Sequence, residues 1–322
     1  MKTRKVNYIC DGGASRQKGS FLSVIFHAVS SGKRSYLQEV GTMKKVAIVM
    51  LLQAVAALFW FSSQAIASEQ DVINAIVEAR AAVKQFALPS AKLPDLNEEK
   101  AYALQKQLAD KLVSMGQPIG GFKAGLTSEA TQKRFGVNAP LLGPLFKPGA
   151  LGPDAVVNTK DFVRLFVETE IGYIPGVKID KPVADVEALK KMIKEVCPAV
   201  ELPDLRFEDM KGLKGPDIVV DAVSSAKYII GKPVPVSSVD VSEVAVTLTR
   251  DGEVVNQGKA ADVLGDQWKA LLWLVNGTVS RGYVIEPGQL LITGVMGNMI
   301  PGKPGSYKGD WGKLGSIAWT IK

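Results

Sequence analysis

Glu168 and Glu170 stand one residue apart in Asp161-Phe-Val-Arg-Leu-Phe-Val-Glu-Thr-Glu-Ile-Gly172. If this stretch is a strand, Val163, Leu165, Val167, Thr169 and Ile171 share a core-facing side, and Arg164, Phe166, Glu168, Glu170 and Gly172 share the other. The two carboxylates then point the same way, about 6 to 7 Å apart, close enough to converge on one hard cation. Like charges at that separation raise each other's pKa unless a cation neutralises them, and oxygen ligation without histidine suits Mg²⁺ or Mn²⁺. Taken alone, the pair also fits the solvent-facing side of an antiparallel sheet. Two further charges sharpen the reading. Glu201 lies in the apolar stretch Pro198-Ala-Val-Glu-Leu-Pro203, where an unpaired carboxylate costs several kcal/mol to bury. Lys123 lies between glycines in Gly120-Gly-Phe-Lys-Ala-Gly-Leu-Thr127, which leaves room for a ligand to approach the backbone. By itself, that lysine also reads as an ordinary exposed one.

The elements that must position these groups follow from periodicity. Val72, Ile73, Ile76, Ala79, Ala82 and Val83 have helical spacing behind Ser68, and Leu88-Pro89 is the expected stop. A second helix is expected over 97–115, with Tyr102, Leu104, Leu108, Leu112 and Val113 as its packed stripe. The two form an N-terminal arm over 68–118. Beyond Gly120, short segments punctuated by Gly and Pro predict a strand-rich α+β core over 119–322. Strands are expected at 121–127, 162–173, 200–202, 218–220, 244–250, 290–293 and 316–321, and helices at 183–196 and 261–275. Asp251-Gly252 is a hairpin turn signal. Residues 301–309 read as a flexible loop.

Together these segments resemble the 2-oxopent-4-enoate hydratase and 4-oxalocrotonate decarboxylase branch of the fumarylacetoacetate hydrolase superfamily. The resemblance runs from about Tyr102 to Ile321. It is carried by Ala101-Tyr-Ala-Leu-Gln105, Gly121-Phe-Lys-Ala-Gly-Leu-Thr-Ser128, Gly143-Pro-Leu-Phe146, Glu168-Thr-Glu170, Ala199-Val-Glu-Leu-Pro-Asp204, the stretch from Asp221 to Gly231, Trp273-Leu-Val-Asn276 and Gly288-Gln-Leu-Leu-Ile-Thr-Gly294. It implies an α+β fold, a mixed β-sheet roll of the fumarylacetoacetate hydrolase C-terminal type with an N-terminal helical arm. It implies Glu168, Glu170 and Glu201 as ligands of Mg²⁺ or Mn²⁺, and Lys123 as the catalytic group that assists proton transfer or holds the substrate carboxylate. Thr127, Asp204, Arg206 and Thr293 are the substrate-binding residues on the same grounds. The implied activity is that of a metal-dependent lyase, a hydratase or decarboxylase, acting on a small 2-oxo acid through a metal-stabilised enolate.

The sequence departs from the family at three places. Asp204-Leu205-Arg206 replaces an Asp-Ser-Arg pattern, Val220-Asp221-Ala222 replaces Ala-Asp-Asn, and Thr293-Gly294-Val295 replaces Thr-Gly-Ser. Each change puts an apolar side chain where a small polar one would orient substrate or water. The metal set survives these changes, so an exported, non-catalytic binding relative is the alternative reading. An acylpyruvate-type C–C hydrolase is another.

Composition bounds the rest. The 322-residue chain carries a formal charge of +7. Met43-Lys44-Lys45, the apolar run from Val46 to Phe61 and Ala65-Ile66-Ala67 have the layout of a signal peptide over 43–67, which implies a periplasmic or secreted protein. Residues 1–42 show no sustained period and read as a non-native or disordered extension. Residues 1–67 hold nine Lys/Arg and two Asp/Glu, which leaves 39 minus 9, or 30 basic, and 32 minus 2, or 30 acidic residues. A neutral remainder argues against nucleic acid as a partner, and no membrane association is expected after cleavage. A homo-oligomer is expected from the resemblance alone. The single histidine, His27, precedes the exported part, so Ser-His-Asp catalysis and histidine-ligated zinc are excluded there. The same cut leaves Cys197 alone among apolar neighbours, the setting of an inert thiol.

Overall fold

The computed structural model describes residues 68–322; the expected extension over 1–42 and signal peptide over 43–67 lie outside the described residues. Three helices come first: α1 (Glu69–Ala82), α2 (Pro89–Lys92) and α3 (Glu98–Ser114). Ser68 caps α1 in a reciprocal capping box with Asp71, and Asn97 caps α3 by accepting from the Lys100 N–H. Leu88-Pro89 does not end the first helix. It stops earlier, where Val83 turns left-handed (φ 52°), and Pro89 opens α2, where its missing N–H costs nothing.

The remainder is strand-rich. In chain order it comprises β1 (Ile119–Gly125), α4 (Glu129–Phe135), β2 (Leu141–Phe146), β3 (Ala150–Leu151), β4 (Val156–Val157), β5 (Phe166–Pro175), α5 (Val186–Lys190) and β6 (Ile193–Leu202). It continues with α6 (Gly215–Val220), β7 (Lys227–Ile230), β8 (Val234–Pro235), β9 (Ala245–Arg250), β10 (Glu253–Lys259) and α7 (Gln267–Ser280). The last four strands are β11 (Leu290–Ile292), β12 (Ile300–Pro301), β13 (Gly305–Asp310) and β14 (Ser316–Ile321). A nine-stranded mixed sheet runs β2-β1-β11-β5-β6-β7-β3, with β12 pairing β5 and β8 pairing β6. A five-stranded sheet runs β10-β9-β13-β14-β4. The architecture is thus α+β, with parallel pairs β1–β11, β3–β7 and β14–β4 among antiparallel ones.

Both faces of β5 are covered. Val167, Thr169, Ile171 and Tyr173 are fully buried on one side, where the Tyr173 ring meets Trp268 of α7 at 5.5 Å. The other face carries Glu168 and Glu170, and the same sheet face continues into an apolar cluster of Leu145, Cys197, Ala199, Tyr228, Leu290 and Ile292. Gly121 is required where β1 meets β11, because a Cβ there would lie 1.9 Å from the Leu290 carbonyl oxygen.

Four further sequence expectations are corrected. The helix expected over 183–196 is only α5, and residues from Ile193 onward form β6, where pairing with β5 on one side and β8 on the other outweighs the local helical pattern. The strand expected at 218–220 is the end of α6, started by Pro216 and by Asp217 capping the Lys214 N–H. The loop expected over 301–309 contains β13, in which Tyr307 stacks on Trp319 at 5.1 Å and the backbone pairs with β9 and β14. The helix expected over 261–275 begins later, after the Asp266 cap, and runs on to Ser280. Asp251 and Gly252, with φ of 53° and 87°, form the hairpin turn between β9 and β10.

Candidate metal and proton-transfer site

The site is built by strand register. In the β5–β6 ladder Glu168 stands directly opposite Glu201, and Glu170 follows two residues along on the same face. One carboxylate oxygen from each of the three lies within 4.8 Å of the others. Like charges opposite one another destabilise a sheet, so this register makes sense around a cation.

Lys123 belongs to β1, two strands from β5, in the cross-sheet row Lys123, Ile292, Gly172 and Cys197. Its Nζ donates to Glu201 Oε1 at 2.6 Å and to the Val223 carbonyl at 3.1 Å. Glu170 is held from the other side, its Oε2 accepting the Gly294 N–H at 2.6 Å. Glu170 Oε1 and Glu201 Oε2 are buried without a hydrogen-bond partner. Unpartnered buried carboxylate oxygens aimed at a common point are what a hard cation takes as ligands, so these residues fit a divalent ion.

The electrostatics agree. Burial, then the Glu201 charge, pushes the Glu168 carboxyl up to about 8, with Lys123 pulling the other way. Burial and the charges of Glu201 and Glu168 drive the Glu170 carboxyl well above the usual range. Burial disfavours the Lys123 ammonium, but Glu201, Glu168 and Glu170 together more than offset this and raise its pKa. Cys197 lies close by but is fully buried, and its thiol is pushed up to about 12 by that burial, which rules it out as a nucleophile.

Lys123 and Glu168 open into a cleft whose lining includes one other polar side chain, Ser224. The walls are apolar, among them Leu126, Phe135, Leu205, Leu213, Ile218 and Met299. The four residues expected to contact substrate do not line this cleft, and the protein takes up the polar atoms of Asp204, Arg206 and Thr293. Asp204 Oδ1 accepts the backbone N–H groups of Val163 and Arg164, and its Oδ2 lies 3.1 Å from Arg206 Nε. Arg206 also pairs with Asp221 at 3.3 Å. Thr293 Oγ1 donates to Gln267 Oε1 at 2.6 Å, and Thr127 is buried against Gly294, leaving no space for a Cβ on that glycine.

Two contributors are missing from the sequence reading. The Val223 carbonyl reaches Lys123 from a turn in which Ala222, Val223 and Ser224 are all left-handed, with φ of 53°, 54° and 57°. Three consecutive non-glycine residues there cost of the order of 1 kcal/mol each. The turn is held by its neighbours. Arg80 of α1 pairs with the fully buried Asp221 at 2.8 Å and donates to the Ser225 carbonyl at 2.8 Å, bracketing the turn from both ends. The basic residue in the last turn of α1 was the only sequence signal for Arg80, and nothing local marks a left-handed Ala-Val-Ser.

An α+β roll carrying a buried three-carboxylate cluster beside a lysine defines a protein of the fumarylacetoacetate hydrolase type. No family model matches the chain. It is 30% identical over 237 residues to the 2-keto-4-pentenoate hydratase of Paraburkholderia xenovorans (strain LB400), covering 73% of this chain and 88% of the relative. It is 29% identical over 213 residues to the 4-oxalocrotonate decarboxylase of Pseudomonas sp. (strain CF600), covering 66% of this chain and 80% of the relative. Among solved structures it resembles the 4-oxalocrotonate decarboxylase from Pseudomonas putida G7 complexed with magnesium and adipate, with a TM-score of 0.74, 26% identity, and coverage of 80% of this chain and 99% of that one. The chain therefore belongs to the 2-keto-4-pentenoate hydratase and 4-oxalocrotonate decarboxylase branch of the fumarylacetoacetate hydrolase superfamily.

Proposed function

We propose that this protein is a divalent-cation-dependent lyase of the hydratase kind acting on a small 2-oxo acid. The observation that carries the reading is the convergence of Glu168, Glu170 and Glu201 with Lys123, of which Lys123 and Glu168 line one apolar-walled cleft. Glu168, Glu170 and Glu201 would hold Mg²⁺ or Mn²⁺, which when bound supplies Lewis acidity towards the carboxylate and keto oxygens of the substrate. Lys123 holds a proton at Nζ, 2.6 Å from Glu201, and exchanges it with the carbon chain beside the ketone. The Val223 carbonyl and Glu201 together fix the direction in which that ammonium points. The Gly294 N–H orients Glu170, and the apolar walls exclude water, which strengthens every charge interaction within the cleft. Export to the periplasm or beyond, and the roles of the arm and core, belong to the same proposal, the former resting on the pattern of residues 43–67.

The test is isothermal titration with Mg²⁺ and Mn²⁺, alone and then with pyruvate or oxalate, comparing wild type with Glu168→Ala plus Glu170→Ala. Cation-dependent oxalate binding that the double variant loses supports the site and leads to an assay panel of 2-oxo acids. Absence of cation binding in the wild type overturns the reading. A second reading, a binding relative without turnover, is favoured by Leu205, which puts an apolar side chain on the cleft wall. Binding of cation and 2-oxo acid with no turnover across the panel would select it.

A further inference from the structure

We infer that Gln267, the first residue of α7, is a positioning residue for the cation site: it holds the Thr293-Gly294 backbone in the place from which Glu170 is aimed. The inference rests on the cation reading given above and adds to it a residue that touches none of the three carboxylates. Glu170 Oε2 accepts the Gly294 N–H at 2.6 Å, which leaves Oε1, buried and without a hydrogen-bond partner, as the oxygen for the ion. The direction of Oε1 therefore follows the place of that N–H.

Strand pairing does not fix it. The β11 ladders with β1 and β5 both end at Ile292, paired with Lys123 and Gly172, so Thr293 and Gly294 lie beyond them. Gly294 then turns with φ of 117°, a conformation that glycine alone adopts readily, and its wide conformational freedom must be taken up by neighbours. Gln267 does this on the near side. Its side chain is buried, with Oε1 accepting the Thr293 hydroxyl at 2.6 Å and the Tyr173 hydroxyl at 3.1 Å, while Nε2 donates to the Ala260 carbonyl at 3.2 Å. Tyr173 lies on β5 three residues beyond Glu170, and Thr293 immediately precedes Gly294. One amide oxygen thus joins the strand that carries the ligand to the backbone that aims it. On the far side the Met296 N–H donates to the Thr169 carbonyl at 2.8 Å, and the Met296 carbonyl accepts from Asn256 at 3.1 Å. Gly294 is bracketed between these two ties to β5. Gln267 does not line the cleft, so its removal acts on the cation through Thr293 and Gly294.

The experiment titrates Mn²⁺ alone into wild type, Gln267→Leu, Thr293→Val and Thr293→Ser by isothermal calorimetry, and records the electron paramagnetic resonance spectrum of the bound ion. Loss of a group that orients a metal ligand weakens metal binding by about tenfold or more, which is the rise in dissociation constant expected for Gln267→Leu and Thr293→Val. Thr293→Val keeps the shape of the side chain and removes only the hydroxyl's bond, which keeps the test open if Gln267→Leu does not fold. Thr293→Ser restores the hydroxyl and should restore both the affinity and the wild-type spectrum. Ile76→Ala, a fully buried change in α1, serves as the control for lost stability: it should lower the melting temperature and leave Mn²⁺ affinity as it was. If wild type binds Mn²⁺ and Gln267→Leu and Thr293→Val bind it equally well, or if Ile76→Ala weakens binding as much as they do, the positioning role is overturned and the cation reading stands. If wild type binds no Mn²⁺, the cation reading falls and the positioning role falls with it.

Discussion

Replacing Glu168 by glutamine removes one of three carboxylates whose oxygens converge within 4.8 Å, while keeping an amide that can donate to Glu201 as the protonated carboxyl does. Two unit charges at such a distance repel by roughly 3 kcal/mol at an effective dielectric constant of about 20. A second route gives a similar size. Burial and Glu201 raise the Glu168 carboxyl from 4.5 to about 8. At pH 7 an unfolded glutamate has lost its proton and this one has kept it, which costs the metal-free native state roughly 3 kcal/mol at about 1.4 kcal/mol per pKa unit. Because Glu168 is only half-buried, screening by water reduces the figure to about 2 kcal/mol. The sign follows from linkage: a carboxyl whose folded pKa is raised contributes no penalty below about pH 4.5, and the native state loses stability as pH climbs from there towards 8. For a chain of this size, about 2 kcal/mol corresponds to a shift of roughly 4 to 8 °C. Differential scanning fluorimetry in EDTA at pH 7.5 should therefore find Glu168→Gln more thermostable than wild type, with the difference shrinking towards pH 5. In excess Mg²⁺ the order should reverse, because wild type gains about 3 kcal/mol at a hundredfold excess over the dissociation constant and the variant loses a ligand. A lower melting temperature for Glu168→Gln in EDTA, or an undiminished response to Mg²⁺, would refute the strained-cluster argument.

Lys123→Met should lower turnover of an accepted 2-oxo acid by about a hundredfold or more while Mn²⁺ titration still gives binding; retained turnover would remove the lysine from proton transfer. Arg80→Leu leaves the fully buried Asp221 with Arg206 as its remaining ion-pair partner and releases the Ala222–Ser224 turn, so urea denaturation should give a loss of about 2 to 4 kcal/mol. A loss under about 1 kcal/mol would mean that Arg206 alone suffices. Gly121→Ala places a Cβ against the Leu290 carbonyl and should abolish soluble, cooperatively folding protein, checked by circular dichroism and thermal melts.

The four charged residues that meet at the site were each visible in the sequence for a local reason. Glu168 and Glu170 share a strand face because side chains alternate, Glu201 lies in a run too apolar to leave a carboxylate unaccounted for, and Lys123 is framed by glycines. The helix start at Ser68 and the Asp251-Gly252 turn were equally legible, since each depends on atoms within a few residues of one another. Thr127, Asp204, Arg206 and Thr293 were a different case. Their types suited substrate contact, but whether a polar side chain faces a cleft or satisfies a buried neighbour depends on what packs against it, and for Asp204, Arg206 and Thr293 the protein itself supplies the partners.

The sequence by itself determined the chemistry on offer: three carboxylates, one lysine, no histidine beyond residue 27 and alternation that puts Glu168 and Glu170 on one face. Only the tertiary structure decided that Glu168 stands opposite Glu201, that Lys123 reaches Glu201 from three strands away, and that Arg80 clamps the turn offering the Val223 carbonyl. It also made a helical pattern before Pro198 into β6 and a glycine-rich loop into β13. The division has one physical cause. Alternation, capping and turn conformations are settled by bonds and contacts a few residues apart, whereas register, burial and ion pairing are settled by segments far apart in the chain, such as Arg80 and Ser225, 145 residues apart, which meet only when the whole core closes.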